Sequence, residues 1–571
     1  MRLDLFGKHP SAGGRPKGLL GRLAPSWRRA PVRRVAQAAC LVGFAVLFLH
    51  VSWPGGGGAT RPTPVQDKEL LDAESFLMLD PLAVLAAAVA GRAAVGALAV
   101  VAVLLAACLV FPRGFCGYVC PLGTSLDLFD WLVSRRVRRF RLRRRGRWVH
   151  ARYFVLAAVI VAAAFGVQLS GYVAAIPVLT RGWQFAVTPV QLAIARGWDF
   201  VPEVGPEQVV SLGLLAGVAL LGLLTPRFWC RCLCPTGATL SLWARLRLTE
   251  RKADSRCVAC GQCARACSFD AIRDDFTTRG GDCTFCQDCG GACPAGAIHF
   301  RGRWRRVEPP VAEEHPKELA ISRRGLLGGA FGGVAAGLGL GRVFGGEPAS
   351  PVRPPGSMPE VAFRGLCVRC GSCLRACPTR VLQPLGLRGG LEALWTPYAE
   401  ANFSGCDPGC NNCGQVCPTG AIRALPLAEK HAAHMGRAAV NERTCLPHAG
   451  RGECRLCEEV CTHAGHKAIE FIRVGVEVDE NGLPVEDSGL LAPRVLAEKC
   501  VGCGLCQARC SGINVASKGL LGEAAIVVEA GDGKDDRITR GSYLALREAE
   551  RKRAAASRPA TRPGGGYVTD F

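Results

Sequence analysis

The sequence contains no CxxCH motif, which excludes covalent attachment of a c-type haem. Acidic residues are scarce beside basic ones, with 47 Asp and Glu against 70 Lys and Arg and a net charge of +23. Basic charge alone would suggest a nucleic-acid partner. Here the arginines lie in blocks beside long apolar runs that almost lack charge, so they indicate membrane topology and no nucleic-acid binding.

Four apolar runs approach the ~20 residues that a bilayer core requires, and they are too long and uncharged for ordinary core helices. Nine Lys and Arg in residues 1–34 and eleven Arg in residues 113–152 place these segments in the cytoplasm. The intervening segments have fewer basic than acidic residues, so the chain is expected to return to the cytoplasm after the fourth run. The predicted spans are Val35–Trp53, Ala93–Pro112, Tyr153–Thr180 and Gln208–Pro226.

A fifth, glycine-rich segment begins at Ile321, and its apolar run directly follows the pair Arg323 and Arg324. Residues 321–345 are therefore predicted to be a twin-arginine-like export signal placed inside the chain, or a fifth span. A glycine-rich linker is the alternative. Residues 346–359 are proline-rich and typical of a linker. If the segment is an export signal, everything after about residue 345 lies outside the cytoplasm.

Cysteine is abundant, with 31 residues, and most of them fall into six quartets with the spacing CxxCxxCxxxC or a close variant. The quartet at Cys406 has one extra residue in its first gap, and the quartet at Cys445 has six. The cytoplasmic quartets are Cys257, Cys260, Cys263, Cys267 and Cys283, Cys286, Cys289, Cys293; the exported quartets are Cys367, Cys370, Cys373, Cys377, then Cys406, Cys410, Cys413, Cys417, then Cys445, Cys454, Cys457, Cys461, and finally Cys500, Cys503, Cys506, Cys510.

This spacing is typical of [4Fe–4S] ligation, in which three thiolates come from one tight loop and the fourth reaches the other cluster of a pair. Zinc sites usually show two CxxC pairs separated by a longer gap, which is absent here. Disulfides are the alternative for the exported part, but near-identical repeated spacing argues against them. We therefore predict six [4Fe–4S] clusters with the 24 quartet cysteines as ligands, and folding free energy that comes from ligation.

The pairing of the quartets is only partly determined by the sequence. The cytoplasmic quartets are expected to exchange their fourth cysteines, so that Cys293 completes the first cluster and Cys267 the second. The four exported quartets can pair in sequence, or the first with the last and the two middle ones together. Both possibilities remain open at this point.

Two further cysteine pairs lie where the second and fourth apolar runs end. The stretches "FCGYVCPLG" and "FWCRCLCPTG" both contain a CxxxCP motif, with Cys116 and Cys120 in the first and Cys230 and Cys234 in the second. Each follows a helical hairpin, so this is an internal repeat. Cysteines four apart share one helix face. These four are candidates for a metal centre or for redox thiols; the alternative is a pair of structural helix ends.

The order of these motifs resembles a pair of ferredoxin families. Residues 35–300 resemble the NapH/MauN-type membrane ferredoxins, with two CxxxCP motifs at Cys116 and Cys230. Residues 321–515 resemble the NapG/MauM-type exported ferredoxins, so the chain looks like a fusion of the two. The internal export signal and the missing proline after Cys267, Cys461 and Cys510 depart from that pattern. The resemblance implies a quinol dehydrogenase that passes electrons to a periplasmic acceptor such as a nitrate reductase system.

The expected fold is an α-helical membrane bundle of four, or with the fifth run five, spans, with small α+β modules like bacterial ferredoxins. The protein is expected in the bacterial inner membrane, with a quinol donor, a periplasmic redox partner and the lipid bilayer as its partners. The expected segments are a basic N-terminus at 1–34, the membrane domain at 35–226, a cytoplasmic two-cluster domain at 227–305, the signal or span at 321–345, an exported four-cluster domain at 360–529, and a disordered tail at 530–571.

Three functions fit these features: a quinol-oxidising relay, a maturation factor that reduces a metal or cysteine site in a periplasmic enzyme, and a scaffold held by zinc or disulfides. Whether the chain is itself an enzyme is left open. No quinone site is evident, and His50, Gln168 and Trp183, near the predicted outer face, are expected to be structural.

Overall fold

The computed structural model describes residues 29–52, 74–133, 147–198, 201–305, 323–337, 350–477 and 488–557, with residues 307 and 485. The chain divides into two compact units. The first comprises residues up to 349 together with 360–399 and 412–423, and is called the membrane unit here; the second comprises 350–359, 400–411 and 424–571. The two units also change at residue 360, the predicted start of the exported domain, but residues 360–399 and 412–423 of that predicted domain belong to the first unit.

The membrane unit is mainly helical. Its helices are α1 Pro31–Ser52, α2 Ser75–Met78, α3 Pro81–Gly91, α4 Ala97–Val110, α5 Pro121–Val133, α6 Ala151–Ala164, α7 Ser170–Val173, α8 Ala175–Arg196, α9 Pro206–Leu220, α10 Pro235–Trp243, α11 Gln262–Ala266, α12 Asp288–Ala292, α13 Arg323–Gly337, α14 Glu360–Leu366, α15 Ser372–Ala376 and α16 Asn412–Gln415. Short 3₁₀ turns lie at Arg147–His150, Leu221–Leu223, Ala244–Leu246 and Leu387–Gly389, and π-helical turns at Phe115–Val119 and Trp229–Leu233.

Two helices in the described part of the chain, Pro31–Val51 and Pro206–Leu223, are long and apolar enough to cross a membrane. They coincide with the first and fourth predicted spans. Shorter apolar helices cover Pro81–Gly91, Ala97–Val110 and Trp148–Ala164. A bundle of four full-length spans is therefore not confirmed.

The third predicted span, Tyr153–Thr180, is wrong in its extent. Its helix α6 ends at Ala164, because Gly166 turns the chain with a φ of 85° and the next residues include the polar Gln168 and Ser170. Residues 181–207, between the third and fourth predicted spans, contain most of α8 and the start of α9.

Helix α3 was not predicted as a separate apolar element. It begins at Pro81, which is favoured at the first helical position because its missing N–H has no helical partner there. Asp80 caps it by accepting a hydrogen bond from the Ala83 amide at 3.3 Å. Seven of the eleven residues of α3 are buried, and Leu82 packs in one continuous core with Phe44, Leu122 and Leu179.

The glycine-rich segment after the paired arginines is a helix, α13, that packs closely along α6. Gly325, Gly329, Gly333 and Gly337 recur every fourth residue and so lie on one face. A Cβ added at Gly329 would lie 2.5 Å from the Phe154 carbonyl oxygen, and one at Gly333 would lie 2.6 Å from that of Ala158. This face therefore needs glycine for the two backbones to approach.

Each β-sheet in the described residues is a short antiparallel pair. In the membrane unit β1 Thr249–Ala253 pairs with β2 Ile298–Gly302, and β3 Leu382–Pro384 pairs with β4 Pro397–Ala399. In the second unit β5 Arg437–Val440 pairs with β8 Ile526–Glu529, and β6 Ile469–Val474 pairs with β7 Leu490–Val495. Helices with such small sheets agree with the predicted α+β modules.

The helices of the second unit are α17 Leu427–Ala432, α18 Leu456–His463, α19 Leu505–Cys510 and α20 Tyr543–Ser557, with a π-helical turn at Ser511–Ser517. The predicted disorder from residue 530 onward is wrong for residues 530–557. Tyr543 is fully buried with Leu425 and Ala433, and its backbone amide donates to Glu429 at 2.6 Å. These contacts order α20. The N-terminal residues 1–28, most of the arginine-rich run at 135–147 and the tail from residue 558 lie outside the described residues.

Candidate functional site

The two CxxxCP motifs adopt the same local structure. Arg113 and Arg227, at equivalent positions before the first cysteine, both have a φ of 52°, which is rare for a residue other than glycine. Each is followed by a π-helical turn and by a helix whose first residue is the proline of the motif, Pro121 or Pro235. The predicted sequence repeat is therefore also a structural repeat.

Each of the two arginines, Arg113 and Arg227, lies against the CxxxCP motif of the other repeat. Arg227 donates to the Cys116 carbonyl oxygen of the other motif at 3.0 Å and to Asp127 at 2.6 Å. A Cβ added at Gly123 would lie 3.1 Å from the Arg227 guanidinium, and one at Gly237 would lie 3.2 Å from that of Arg113. The glycine of each "CPLG" or "CPTG" stretch thus leaves room for the arginine of the opposite repeat.

The four CxxxCP thiols are brought together by this arrangement. Cys120 and Cys234 are buried in one hydrophobic core, and Cys116 and Cys230 pack against the same core. The Gly237 amide donates to the Cys234 sulfur at 3.4 Å. A metal centre and a redox-thiol pair both remain predictions for this site.

The first cluster module contacts the CxxxCP motifs directly. Phe269, two residues after Cys267, is buried under both crossed arginines, with its ring centroid 5.6 Å from Arg113 and 5.0 Å from Arg227. The Tyr118 hydroxyl, inside the first motif, donates to the Phe285 carbonyl oxygen inside the quartet at Cys283, at 2.7 Å. The quartet loop therefore packs directly on the first motif.

Charged residues reinforce this contact. Arg33, near the start of α1, forms ion pairs with Asp288 of the quartet loop and with Asp127 of α5, the latter at 3.1 Å. Arg152 pairs with Asp282 at 2.5 Å. Each arginine is nearly fully buried, so removing either partner would leave an uncompensated charge.

In residues 257–293 the fourth cysteine of the first quartet lies with the first three cysteines of the second, as the expected exchange requires for one of the two clusters. One cavity is lined by the sulfur-bearing residues Cys283, Cys286, Cys289 and, from the other quartet, Cys267. The Ala271 amide donates to the Cys267 sulfur at 3.3 Å and the Ala297 amide to the Cys293 sulfur at 3.4 Å. Such N–H donors to ligating sulfurs help to set the reduction potential of a bound cluster.

The thiols of this cavity are strongly desolvated. Burial raises the pKa of Cys283 to about 12 and that of Cys286 to about 11. A thiolate is unfavourable there unless a cation is bound nearby, and ligated iron provides that compensation. The donor set therefore fits the predicted cluster chemistry, in which binding and deprotonation are coupled.

In the part of the chain predicted to be exported, the membrane unit brings one more group of four cysteines together. Cys367, Cys370 and Cys373 line a cavity with Cys417, the fourth cysteine of the following quartet. The Ile422 amide donates to the Cys417 sulfur at 3.5 Å. Val368 and Cys370 belong to the same buried core as the membrane helices, so this loop is part of the membrane unit.

The second unit contains two such cavities. Cys445, Cys454 and Cys457 line one with Cys510, and Cys500, Cys503 and Cys506 line the other with Cys461. Neighbouring quartets therefore meet in sequence order, which is the first of the two pairings that the sequence left open. Ligation by the 24 quartet cysteines itself remains a prediction.

Among the described residues, no three His, Cys, Asp or Glu side chains are arranged to hold a single metal ion. This is compatible with the cysteine cavities, because each thiolate of a [4Fe–4S] cluster binds a different iron and the sulfurs need not converge on one atom. A tetrahedral zinc site places four donors around one ion.

Sequence reasoning missed several residues of these sites. Asn514 donates to the sulfurs of Cys454 and Cys510, each at 3.7 Å, and no spacing rule points to it. Arg113 and Arg227 had a signal, since a Pro-Arg pair precedes each CxxxCP motif. Trp183 packs edge-on against Phe44 at 5.3 Å, a structural contact of the kind that was expected of it.

Two family models, both described as a 4Fe-4S binding domain, match the chain. One matches twice, at residues 93–139 and 208–253, and so covers each CxxxCP hairpin once. The other matches residues 253–273, which contain the first quartet. The double match agrees with the structural repeat.

Several curated proteins are similar to parts of the chain. The methylamine utilization ferredoxin-type protein MauM of Methylorubrum extorquens is 36% identical over 222 residues, which are 37% of this chain and 90% of that protein. The ferredoxin-type protein NapG of Escherichia coli is 32% identical over 183 residues, 32% of this chain and 75% of NapG.

The regulatory protein NosR of Pseudomonas aeruginosa is 31% identical over 189 residues, 32% of this chain but only 24% of NosR. No solved structure matches the chain.

Proposed function

The chain belongs to the family of MauM- and NapG-type ferredoxin-type proteins, and on this basis we propose that it transfers electrons from membrane quinol to a redox protein on the far side of the membrane. Iron–sulfur electron transfer is the function that its 4Fe-4S domains and its relatives support. The quinol donor, the six clusters and a periplasmic acceptor such as a nitrate reductase system are parts of the proposal.

We also propose that the chain is a fusion, in which residues 35–300 act as a NapH/MauN-type membrane ferredoxin. The match to MauM uses only 37% of this chain, so most of the sequence is left for a second component. The duplicated CxxxCP hairpin and its direct contact with the quartets at 257–293 support a membrane ferredoxin of its own.

One observation carries the proposal: cysteine cavities lie at both ends of helix α1. Near its start, Arg33 pairs with Asp288 of the quartet loop at 283–293. Near its end, Phe48 lies under the Arg375 guanidinium, 4.3 Å from its ring centroid, in the loop of Cys367 to Cys377. The helical rise between Arg33 and Phe48 is roughly 22 Å, comparable with much of a bilayer core.

The residues of the chain have defined tasks in this proposal. The cysteines hold the clusters, and amides such as those of Ala271, Ala297 and Ile422 donate to the ligating sulfurs. A [4Fe–4S] cluster, when bound, supplies reversible one-electron transfer. Phe269 and the crossed arginines fix the CxxxCP motifs against the quartets of residues 257–293.

The test is made on membranes prepared without oxygen from cells that produce the full chain. We expect about 24 iron atoms and as many acid-labile sulfides per chain, and EPR signals of reduced clusters after a menaquinol analogue is added. Iron near zero would refute the cluster proposal. Iron present but no reduction by quinol would refute the quinol donor and leave another electron source.

A maturation factor is the second candidate, because the four CxxxCP thiols lie together beside the first cluster module. Replacing Cys116, Cys120, Cys230 and Cys234 by Ser distinguishes the two functions. If the partner enzyme is still produced in active form and only electron flow falls, the maturation proposal is refuted. If the partner lacks its metal or reduced cysteine site, the relay proposal gives way to it.

A further inference from the structure

We propose that a cavity between α8, the segment before α9 and the chain after α15 binds the head group of a quinone or quinol. This inference rests on the proposed function and names the site where its substrate binds. The cavity measures about 530 Å³ with its open mouth, which is within the range of small-molecule sites. All its walls belong to the membrane unit.

The interior of the cavity has unsatisfied hydrogen-bonding atoms. Gln184 and Thr188, one helical turn apart on α8, are 7% and 4% exposed. The Gln184 Oε1, the Thr188 Oγ1 and the buried Gln208 Oε1 have no hydrogen-bond partner among the described residues. A buried polar atom without a partner is costly, so three of them lining one cavity indicate a polar ligand.

Much of the remaining wall is apolar, although Glu203, Arg380 and Gln383 also line the cavity. Phe185, Leu192 and Leu382 line the cavity. Val204, which lines the cavity, is 64% exposed, although such side chains are normally buried. An exposed apolar side chain in the cavity wall is compatible with a ligand that enters from lipid.

The cavity adjoins the cysteine cavity of Cys367, Cys370, Cys373 and Cys417. Leu374 lines both cavities and separates them. A Cβ added at Gly371, inside the quartet loop, would lie 3.7 Å from the Cγ of Gln184. A molecule bound at Gln184 is therefore separated from the loop of Cys367 to Cys377 only by side chains that contact this loop.

These features together select quinol among membrane-soluble ligands. Its two hydroxyl groups donate hydrogen bonds, which the amide oxygens of Gln184 and Gln208 accept, and its flat ring and isoprenoid tail match the apolar walls. A lipid acyl chain would leave all three polar atoms unsatisfied. Two charged residues line the cavity: Arg380, whose guanidinium donates to the Leu374 carbonyl oxygen at 3.2 Å, and the acidic Glu203. Their opposite charges offset each other, so the wall gives no preference for an anionic ligand.

The test uses the full chain, loaded with iron, in membranes. A photoactivatable azidoquinone is expected to label peptides that contain residues 184–192 or 202–208, and added menaquinol analogue is expected to prevent the labelling. The double variant Gln184→Leu/Thr188→Val should bind the quinone about tenfold more weakly, the loss of two modest hydrogen bonds. Thr188→Ser keeps the hydroxyl and should retain affinity.

Gln191→Leu is the matched control. Gln191 is an equally buried glutamine on the same helix, but it donates to the Leu49 carbonyl oxygen at 3.3 Å and does not line the cavity. Iron content and cluster reduction by dithionite should be the same in every variant, which shows that the protein folds.

The outcomes distinguish failure of the proposed quinol donor from failure of this binding site. If the unmodified chain neither binds quinone nor is reduced by quinol, the proposed quinol donor itself fails. If it is reduced by quinol but the label maps elsewhere, or if the double variant binds as tightly as the Gln191→Leu control, the function stands and this site is refuted.

Discussion

The glycine face of α13 provides the sharpest prediction, because the same helix contains its own controls. Gly329 and Gly333 face α6, and a Cβ at either position would come within 2.6 Å of a backbone carbonyl oxygen. Backbone atoms cannot move aside as a flexible side chain can. By contrast, a Cβ at Gly328 or Gly332 on the same helix would meet nothing within 4 Å.

We therefore expect opposite signs for one chemical change. Gly329→Ala and Gly333→Ala should each destabilise the packing of α13 by about 1–3 kcal/mol, the usual cost of overpacking. Gly328→Ala and Gly332→Ala should stabilise by up to ~1 kcal/mol, because alanine has the higher helix propensity. The difference between the two pairs is then about 1–4 kcal/mol, and the two effects have opposite signs.

The assay is hydrogen exchange of residues 323–337 in detergent-solubilised protein, which reports the local opening of α13. The free energy of unfolding from a denaturant titration serves as the global measurement. Equal effects at Gly328 and Gly329 would refute the proposed packing face. Loss of residues before 350 from the mature chain, seen by its mass, would show instead that the segment is a cleaved export signal.

The remaining predictions concern the second unit. Asn514→Leu removes the amide that donates to the Cys454 and Cys510 sulfurs, so the reduction potential of the associated cluster should fall, measured by EPR-monitored titration with an unchanged iron content as the control. Tyr543→Ala should lower the free energy of unfolding of this unit by roughly 3–5 kcal/mol, because the ring is fully buried, and an unchanged midpoint would contradict an ordered α20. Burial, and secondly the positive charge of Arg547, lower the pKa of His434 in the folded protein. Protonation therefore favours the unfolded state, so the free energy of unfolding should be constant above about pH 6.5 and decrease as the pH falls below it. A His434→Gln variant should lack this decrease.

The cysteine spacing predicted where the tight cysteine loops lie, since each quartet encodes its own loop, while cluster ligation by these cysteines stays a prediction. The spacing also led us to expect that Cys267 joins the second quartet of residues 257–293. Cys267 lies at the end of its own loop, where the chain leaves the first three cysteines. The spacing did not determine which of the later quartets are neighbours. Cys510 meets Cys445, Cys454 and Cys457 only because the β5–β8 pair brings distant parts of the second unit together.

Hydropathy predicted the positions of apolar segments better than it predicted where the helices within them begin and end. It located α1 and α9, whose length and composition are both local properties. It extended the third span beyond Ala164, because it weighs composition and not the turn at Gly166. It also missed α3, a short helix whose burial depends on the helices around it.

The sequence by itself determined what is local: the positions of the cysteine loops, the duplicated CxxxCP motif and the glycines at every fourth position of α13. Each of these depends on residue type and spacing within a few turns of chain. The tertiary structure decided what depends on contacts between distant residues. It brought Arg113 and Arg227 each against the opposite repeat, with Phe269 under both guanidinium groups. It also left polar atoms of Gln184, Thr188 and Gln208 without hydrogen-bond partners in one cavity. Such contacts arise from the packing of separate helices, and local spacing contains no information about them.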